Sequence, residues 1–363
     1  MHISIVILNW NGKAFLEAFL SPLLDSITFC KGVEVIVADN GSTDGSVEFL
    51  RNHYPQLRLI QFQENFGYTG GYNKALQQIE ATYYVLLNSD VQVTPCWLEP
   101  LLSFMELHPQ VGMCMPKIRS FDQLDSFEYA GASGGFIDYL GYPFCRGRIL
   151  SHIEKDTGQY NAPMEIFWAS GVCLMMRAKL FHQLGGFDTR FFAHQEEIDL
   201  CWRAKMAGSQ VWVIPQSCIH HVGGGTLPND SPHKLYLNYR NNLWMLYKNL
   251  PKKRRFTILI LRFTFDSTSA LLYLLQGKKA LCSAVFKAHC HFWKGIKEVP
   301  NRKKVTDGSK ALLLKHTQNH NAKQVSHIWH KSIVWYFFLH KKKLTFDQLV
   351  FPEGIPTRRK NLQ

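Results

Sequence analysis

The sequence contains no Cys-x-x-Cys pair. Its nine cysteines are odd in number and scattered from Cys30 to Cys290, which suits reduced cytosolic usage rather than a disulfide framework. No G-x-G-x-x-G run occurs, and this argues against a dinucleotide oxidoreductase. The start, "MHISIVILNWNG", has neither a basic n-region nor a small-residue cleavage site, so no signal peptide is expected. No internal repeat or low-complexity tract is present. The longest apolar stretch, 256–275, is broken by Arg262 and Asp266, and a membrane span wants about 18 or more uncharged residues. Acidic residues are scarce at one end. Residues 251–363 hold 5 of them against 23 Lys and Arg, a net of +18, whereas residues 1–250 hold 23 against 18, a net of −5.

What is there divides accordingly. A mildly acidic body, 1–250, precedes a strongly basic part, 251–363, whose charge suits a polyanionic surface, nucleic acid or anionic lipid. With 363 residues, 46% of them hydrophobic, the chain suffices for one large domain with an appendage. In the body, short apolar runs at 3–10, 33–40, 57–62, 83–90 and 111–116 read as buried strands. Helix-like stretches at 13–26, 44–53, 72–80 and 95–108 alternate with them. This rhythm predicts an α/β fold with a mainly parallel central sheet flanked by helices. Further strands are expected at 166–177 and 210–215. The 256–275 run fits a helix lying in a membrane interface or one packed on the body.

Several places carry candidate chemistry. "VIVADNGSTDGS" and "YVLLNSDVQVTP" each finish a strand on an acid, Asp39 and Asp90, and open parallel sheets bind ligands beyond their carboxyl edge. Asp39 suits a base or ribose contact, or an Asx-turn alone. Asp90 suits a divalent cation on a diphosphate, or a turn. "ENFGYTGGYNKAL" reads as a Gly-rich loop opening a helix, with Gly70 and Gly71 permitting close backbone approach to an anion. "CIHHVGGGTL" places His220 and His221 where one could join a metal shell or contact a phosphate. The later histidines, "AHCHF" and His316, His320, His327 and His330, have only loose metal-like spacing.

The densest signal is "FFAHQEEIDLCWRAK", with Glu196, Glu197 and Asp199 inside four residues. A helix starting near Glu196 tolerates acids in its first turn. Asp199 and Arg203 stand four apart and pair on one face. Glu196 and Glu197 meet Leu200 and Cys201 at that spacing, so at least one of them faces a cleft or solvent. Among Phe191, Phe192, Ile198 and Trp202 such a carboxylate gains a raised pKa, which suits a general base.

Together these pieces resemble family 2 glycosyltransferases of GT-A fold, and among them the rhamnosyltransferase-like members of bacterial surface polysaccharide assembly. Seven segments match in family order: "VILNWNG", "VIVADNGSTDGS", "NFGYTGGYN", "LLNSDV", "ASGVCLMMR", "GGFDTRFFAHQEEIDLCWRAK" and "HHVGGGT". They cover roughly residues 3–250. The resemblance implies nucleotide-sugar contacts from Asn9, Asp39, Asn65, Gly70, Asn88, Ser89 and Asp90. Asp39 matches the base-contacting acid, and Asp90 the last acid of the DxD motif, whose first acid is here Asn88. Asp90 and His221 would hold Mg2+ or Mn2+. The family's Glu-Asp pair is here Glu196–Glu197, which implicates Glu197 as base and leaves Glu196 its competitor. The implied reaction is inverting, metal-dependent transfer from a UDP- or dTDP-sugar to a glycan or polyprenyl-diphosphate-linked acceptor. The implied place is the cytoplasmic side of the membrane, with the basic part on the anionic membrane surface and no nucleic acid as partner.

Two rivals stand beside this reading. A sugar-phosphate nucleotidyltransferase shares the broad fold but wants a Gly-rich, Arg/Lys-bearing loop after the first strand, and "NWNGKAF" is not one. A non-catalytic, basic nucleic-acid-binding protein accounts for the lysines but not for Asp39, Asp90 and Glu197.

Overall fold

The computed structural model describes residues 2–223, 231–296 and 327–351. Six strands form early: β1 (Ile3–Asn9), β2 (Val33–Asp39), β3 (Arg58–Gln61), β4 (Tyr83–Leu87), β5 (Val91–Val93) and β6 (Val111–Ser120). The first four pair in parallel in the order β3-β2-β1-β4. Their runs are apolar throughout because helices cover both faces, and Ile5, Val6, Ile36, Val85 and Leu86 are wholly buried.

Beyond β4 the sheet differs from the parallel expectation. Strand Cys173–Arg177 enters antiparallel to both β4 and β6. The long strand Gln210–His221 then runs parallel to β6 and antiparallel to β5 and Met164–Glu165. A buried run such as "CLMMR" reads alike in either direction, so periodicity does not encode this reversal. The strand covers only Cys173–Arg177 of the expected 166–177, whereas the one expected at 210–215 continues to His221. The helix expected at 72–80 instead spans Gly67–Leu76.

Register gathers the functional edge. Asn9 lies opposite Asp39, and Ile7 opposite Leu87, so the carboxyl ends of β1, β2 and β4 finish together. Because Cys173 pairs with Leu87 at the start of the reversed strand, Ser170 and Gly171 arrive at the same edge.

Most of the described residues beyond 231 are helical, so the helical part begins before the basic boundary at 251. Helix Pro232–Asn249 is followed by Lys252–Leu275 and Lys279–Gly295, the last two joined at Gly277 (φ +75°). The segment 327–351 returns to a second, five-stranded sheet, where Ile328–Trp329 pairs with Gly135–Asp138 and Asp138 accepts the Ile333 N–H at 2.9 Å. Among the described residues, only Lys252–Leu275 is long and apolar enough to cross a membrane by length and composition. Its inward face runs Ile258, Arg262, Asp266, Ala270, all buried at a spacing of four. Arg262 Nη1 donates to Leu140 O (3.0 Å), and the guanidinium lies 3.9 Å from the Tyr142 ring centroid. Arg262 Nη2 reaches Asp266 at 3.3 Å, and the Tyr142 hydroxyl donates to the same carboxylate at 2.9 Å.

This buried pair yields a stability prediction. Asp266→Ala leaves Arg262 as an uncompensated buried charge and is expected to cost about 3–5 kcal/mol in urea unfolding. Replacing both residues by Met and Leu is expected to cost far less, since no charge is then stranded. A double variant at least as unstable as Asp266→Ala would mean that the pair does not act as a unit.

Candidate active site

A cavity of about 460 Å³ opens at the carboxyl edge of the sheet. Asn65, Asn88, Ser89, Asp90, Glu196, Glu197 and His221 line it, so seven of the sequence-predicted site residues meet in one place. A second hollow, about 230 Å³ beside β3, carries neither carboxylate nor histidine.

Asn9 and Asp39 lie below this cavity rather than on its wall. Both are fully buried. Asp39 accepts from Asn9 Nδ2 at 3.0 Å and from the Ser42 backbone N–H at 2.9 Å. Asp39 thus fixes the turn after β2, and its neighbour Asn40 reaches the cavity. Asn40 Nδ2 donates to Asn65 Oδ1 (2.9 Å), which also receives the Gly67 N–H (2.8 Å).

The glycine reading is corrected. Gly70 and Gly71 are buried inside helix Gly67–Leu76 rather than in a loop that opens it. A Cβ at Gly71 would stand 2.7 Å from a Leu8 methyl, and one at Gly70 would stand 2.9 Å from Phe66 Cβ. The close approach that these glycines allow is therefore to the protein's own strand and side chains. Neither glycine lines the cavity.

Asp90 follows β4 in a turn, fastened by Val222 N–H donating to its backbone oxygen at 3.1 Å. His221 ends the long strand opposite, with Nε2 at 3.2 Å from Asp90 Oδ1 and Nδ1 at 3.3 Å from Glu128 Oε1. Burial opposes a charge on His221, but the two carboxylates outweigh it and hold the ring's pKa at about 10. The donor set is one carboxylate oxygen and His221 Nε2, which binds an ion only by giving up the proton that the two carboxylates hold on the ring, with Glu128 behind the ring as the orienting carboxylate common at metal sites. Among the described residues no cluster of three or more such ligands exists. Mg2+ and Mn2+ sites that share the ion with substrate phosphates need only one or two protein carboxylates, so the residues present fit such an ion.

On the facing wall, helix Glu196–Met206 presents its first turn. Glu196 and Glu197 each keep an Oε2 that is buried without a hydrogen-bond partner. Burial pushes both carboxyls up, Glu197 to about 7, and for Glu196 the Glu197 charge adds to its desolvation. Asp199 behaves as its spacing predicts and more. It binds Arg203 Nε at 2.8 Å, and also Lys248 Nζ (2.9 Å) and Asn249 Nδ2 (2.8 Å) from helix Pro232–Asn249. Burial opposes a charge on Asp199, but Lys248 and Arg203 outweigh it and hold the carboxyl low.

The loop entering this helix is unusual. Phe192, His194 and Gln195 have φ of +64°, +70° and +73°, and each such residue costs on the order of 1–3 kcal/mol when it is not glycine.

Several lining residues escaped the sequence reading. Trp10, 40% exposed at the end of β1, offers a flat ring at the cavity mouth. Tyr68 donates to Gly171 O at 2.8 Å, and any Cβ at Gly171 would stand 2.7 Å from that hydroxyl. Glu128 arrives from the irregular stretch after β6. "VILNWNG", "NFGYTGGYN" and "ASGVCLMMR" held Trp10, Tyr68 and Gly171 in plain view, whereas nothing in the local sequence marks Glu128. The described late histidines do not converge: His289 approaches Asp266 (3.7 Å), His291 accepts from or donates to the Tyr236 hydroxyl, and His327 approaches Glu165 (3.7 Å). His316 and His320 lie outside the described residues, as do Gly224, Gly225 and Thr226 of the matched segment.

Fold and site together define a glycosyltransferase of GT-A build. Residues 4–185, about half of the chain, match the profile of the family described as Glycosyl transferase family 2, and the chain belongs to that family. It is similar to the N-acetylglucosaminyl-diphospho-decaprenol L-rhamnosyltransferase of Mycobacterium tuberculosis, 29% identical over 63% of this chain and 79% of that one. It is also similar to the O-antigen biosynthesis protein RfbC of Myxococcus xanthus, 28% identical over 60% of this chain but only 17% of that protein. Among solved structures, S. aureus TarS 1-349 in complex with UDP-GlcNAc superposes with a TM-score of 0.53 at 16% identity, covering 88% of this chain and 93% of that one. GalNAc-T7 with UDP, GalNAc and Mn2+ does so at 0.53 and 13% identity, covering 68% of this chain and 48% of that one. At these identities the structural likeness speaks for the fold.

Proposed function

We propose that the protein is an inverting, metal-dependent glycosyltransferase that moves a sugar from a UDP- or dTDP-sugar to a hydroxyl of a polyprenyl-diphosphate-linked or glycan acceptor in bacterial surface polysaccharide assembly. One observation carries it. Two carboxylates with unpartnered, buried oxygens share a cavity with an Asp90–His221 pair suited to a divalent cation. Asp90 and His221 would hold Mg2+ or Mn2+, which supplies charge neutralisation for the leaving diphosphate. Glu197 takes the proton of the acceptor hydroxyl. That oxygen forms the new bond to the anomeric carbon as the bond to the diphosphate oxygen breaks on the opposite face. No proton is needed by the leaving group. Trp10 is placed to stack a nucleobase, with Asn65, Asn88 and Ser89 as polar partners nearby. The rhamnosyltransferase relative's lipid-diphosphate acceptor supports the same acceptor class here. Donor hydrolysis across a panel of nucleotide sugars, with and without Mn2+, tests the reading. Hydrolysis of none of them, in either condition, would sink it.

The same reading places the protein on the inner face of the cytoplasmic membrane. With Arg262 and Asp266 turned inward, helix Lys252–Leu275 shows apolar side chains outward: Phe256, Ile260, Leu271 and Leu275 are exposed, the first and last by 75%. Exposed Lys252, Lys253 and Arg254 flank one end and Lys278 and Lys279 the other. This arrangement suits an anionic bilayer, with about 1 kcal/mol at most from each basic residue and a salt-resistant share from the apolar face. Co-sedimentation with vesicles is therefore expected to rise with anionic lipid and to fall only partly in high salt. Complete release by salt would leave the apolar face without a role, and extraction by detergent alone would mean a true span.

A further inference from the structure

The loop Phe191–Gln195 aims the first turn of the acidic helix, yet its backbone is held in conformations that its residues do not favour. Thr69 N–H of helix Gly67–Leu76 donates to Phe192 O at 3.1 Å, and the other holding groups come from helix Pro232–Asn249. Asn241 is fully buried, and the two hydrogens of its Nδ2 are shared among three carbonyls of the loop, Phe191 O (2.9 Å), Ala193 O (2.8 Å) and His194 O (2.8 Å). Arg240 Nε donates to Asn241 Oδ1 at 2.9 Å and so fixes the amide's orientation. Together these contacts, most of them from one turn of helix Pro232–Asn249, over-determine a loop that would otherwise relax.

We propose that Asn241 is a positioning residue for the transfer reaction: by clamping the three carbonyls, it holds the left-handed loop that points Glu196 and Glu197 into the cavity. The inference rests on the reading of that pair as the catalytic acids. It also ties the C-terminal helices to catalysis directly, since Asn242, next on the helix, is held by Arg262 and donates to Gln195 Oε1 at 3.0 Å. The alternative is that Asn241 only adds stability, as any satisfied buried amide does.

Asn241→Asp keeps the size and removes the donor, setting a carboxylate against three carbonyl oxygens. Asn241→Ser keeps one hydroxyl donor. Leu246→Ala destabilises the same helix without touching the loop. Turnover by Asn241→Asp is expected to fall at least 10-fold with donor affinity within about 2-fold, because the donor's contacts lie on the other wall. Asn241→Ser should recover part of the loss, and it decides the matter if the Asp variant does not fold. Leu246→Ala should lower the melting temperature while retaining turnover. A folded Asn241→Asp or Asn241→Ser enzyme with wild-type turnover, or a loss matched by Leu246→Ala, would overturn the proposal. Glu197→Gln is measured alongside. If it is inactive while the Asn241 variants are active, the clamp alone is wrong; if it too is active, the reading of the acidic pair fails first.

Discussion

Glu197→Gln is expected to lower turnover by about 10²-fold or more, the usual scale for a positioned general base, while donor binding survives. Two adjacent buried carboxyls do not both ionise readily near neutral pH. Burial raises both carboxyls, so one of the pair keeps its proton; with Glu197 in the role of base, that one is Glu196. The ionised member is the base. Glu196→Gln should accordingly be mild, because an amide resembles a carboxylic acid that already carries its proton. The pH profile follows with a definite sign. A base must be deprotonated, and the Glu197 carboxyl sits at about 7 rather than in the ordinary carboxylate range, so turnover should rise with pH through about 7 and then level. In Glu197→Gln this acid limb should vanish. A severe loss in Glu196→Gln with a mild one in Glu197→Gln would reverse the assignment, and an acid limb near the ordinary carboxylate value would show that burial does not tune the base.

The acidic turn was legible because its evidence is local. Three carboxylates at the start of a helix, one with a cation four residues on, need no knowledge of the rest of the chain, and Asp199 does pair with Arg203. The strand ends were legible for the same reason: apolar runs ending at Asn9, Asp39 and Asn88 imply one edge when the runs are parallel. What stayed hidden depends on where the chain returns. Glu128 meets His221 across 93 residues, and Asn241 meets the loop before the acidic pair across 47 to 50; no spacing rule joins them. The glycines failed for another reason. A Gly-Gly pair permits close approach of something, and only the fold shows that here it is Leu8 and not a phosphate. Burial of Arg262 and Asp266 likewise reverses the ordinary expectation that a helix turns its charges outward. Their spacing of four was visible, but whether the pair faced water or protein depended on Tyr142 and Leu140, which come from the turn between two strands of the small sheet, Gly135–Asp138 and Pro143–Cys145.

Asp90→Ala is expected to abolish metal-dependent turnover while the protein stays folded. The side chain of Asp90 meets His221, but the turn that carries it is held through its backbone oxygen by the Val222 N–H, and that bond does not need the carboxylate. His221 keeps Glu128 as its partner, so the substitution strands no buried charge and the cost in stability should be small. The cost in activity should not be. Asp90 is the only carboxylate on the turn after β4, since Asn88 occupies the other acidic position of the motif. Losing it removes the anionic half of a two-residue donor set, and charge stabilisation worth several kcal/mol corresponds to about 10²–10³-fold or more in rate. Mn2+ titrated into the wild-type protein in the presence of a nucleoside diphosphate should bind, by calorimetry or by loss of the free-ion electron paramagnetic signal beyond that given by the nucleotide alone, and should fail to do so with Asp90→Ala at the same concentrations. Excess chelator should bring wild type down to the level of the variant and leave the variant unchanged. Full turnover by Asp90→Ala, or by wild type in excess chelator, would reduce the Asp90–His221 contact to an ion pair that merely joins two strand ends.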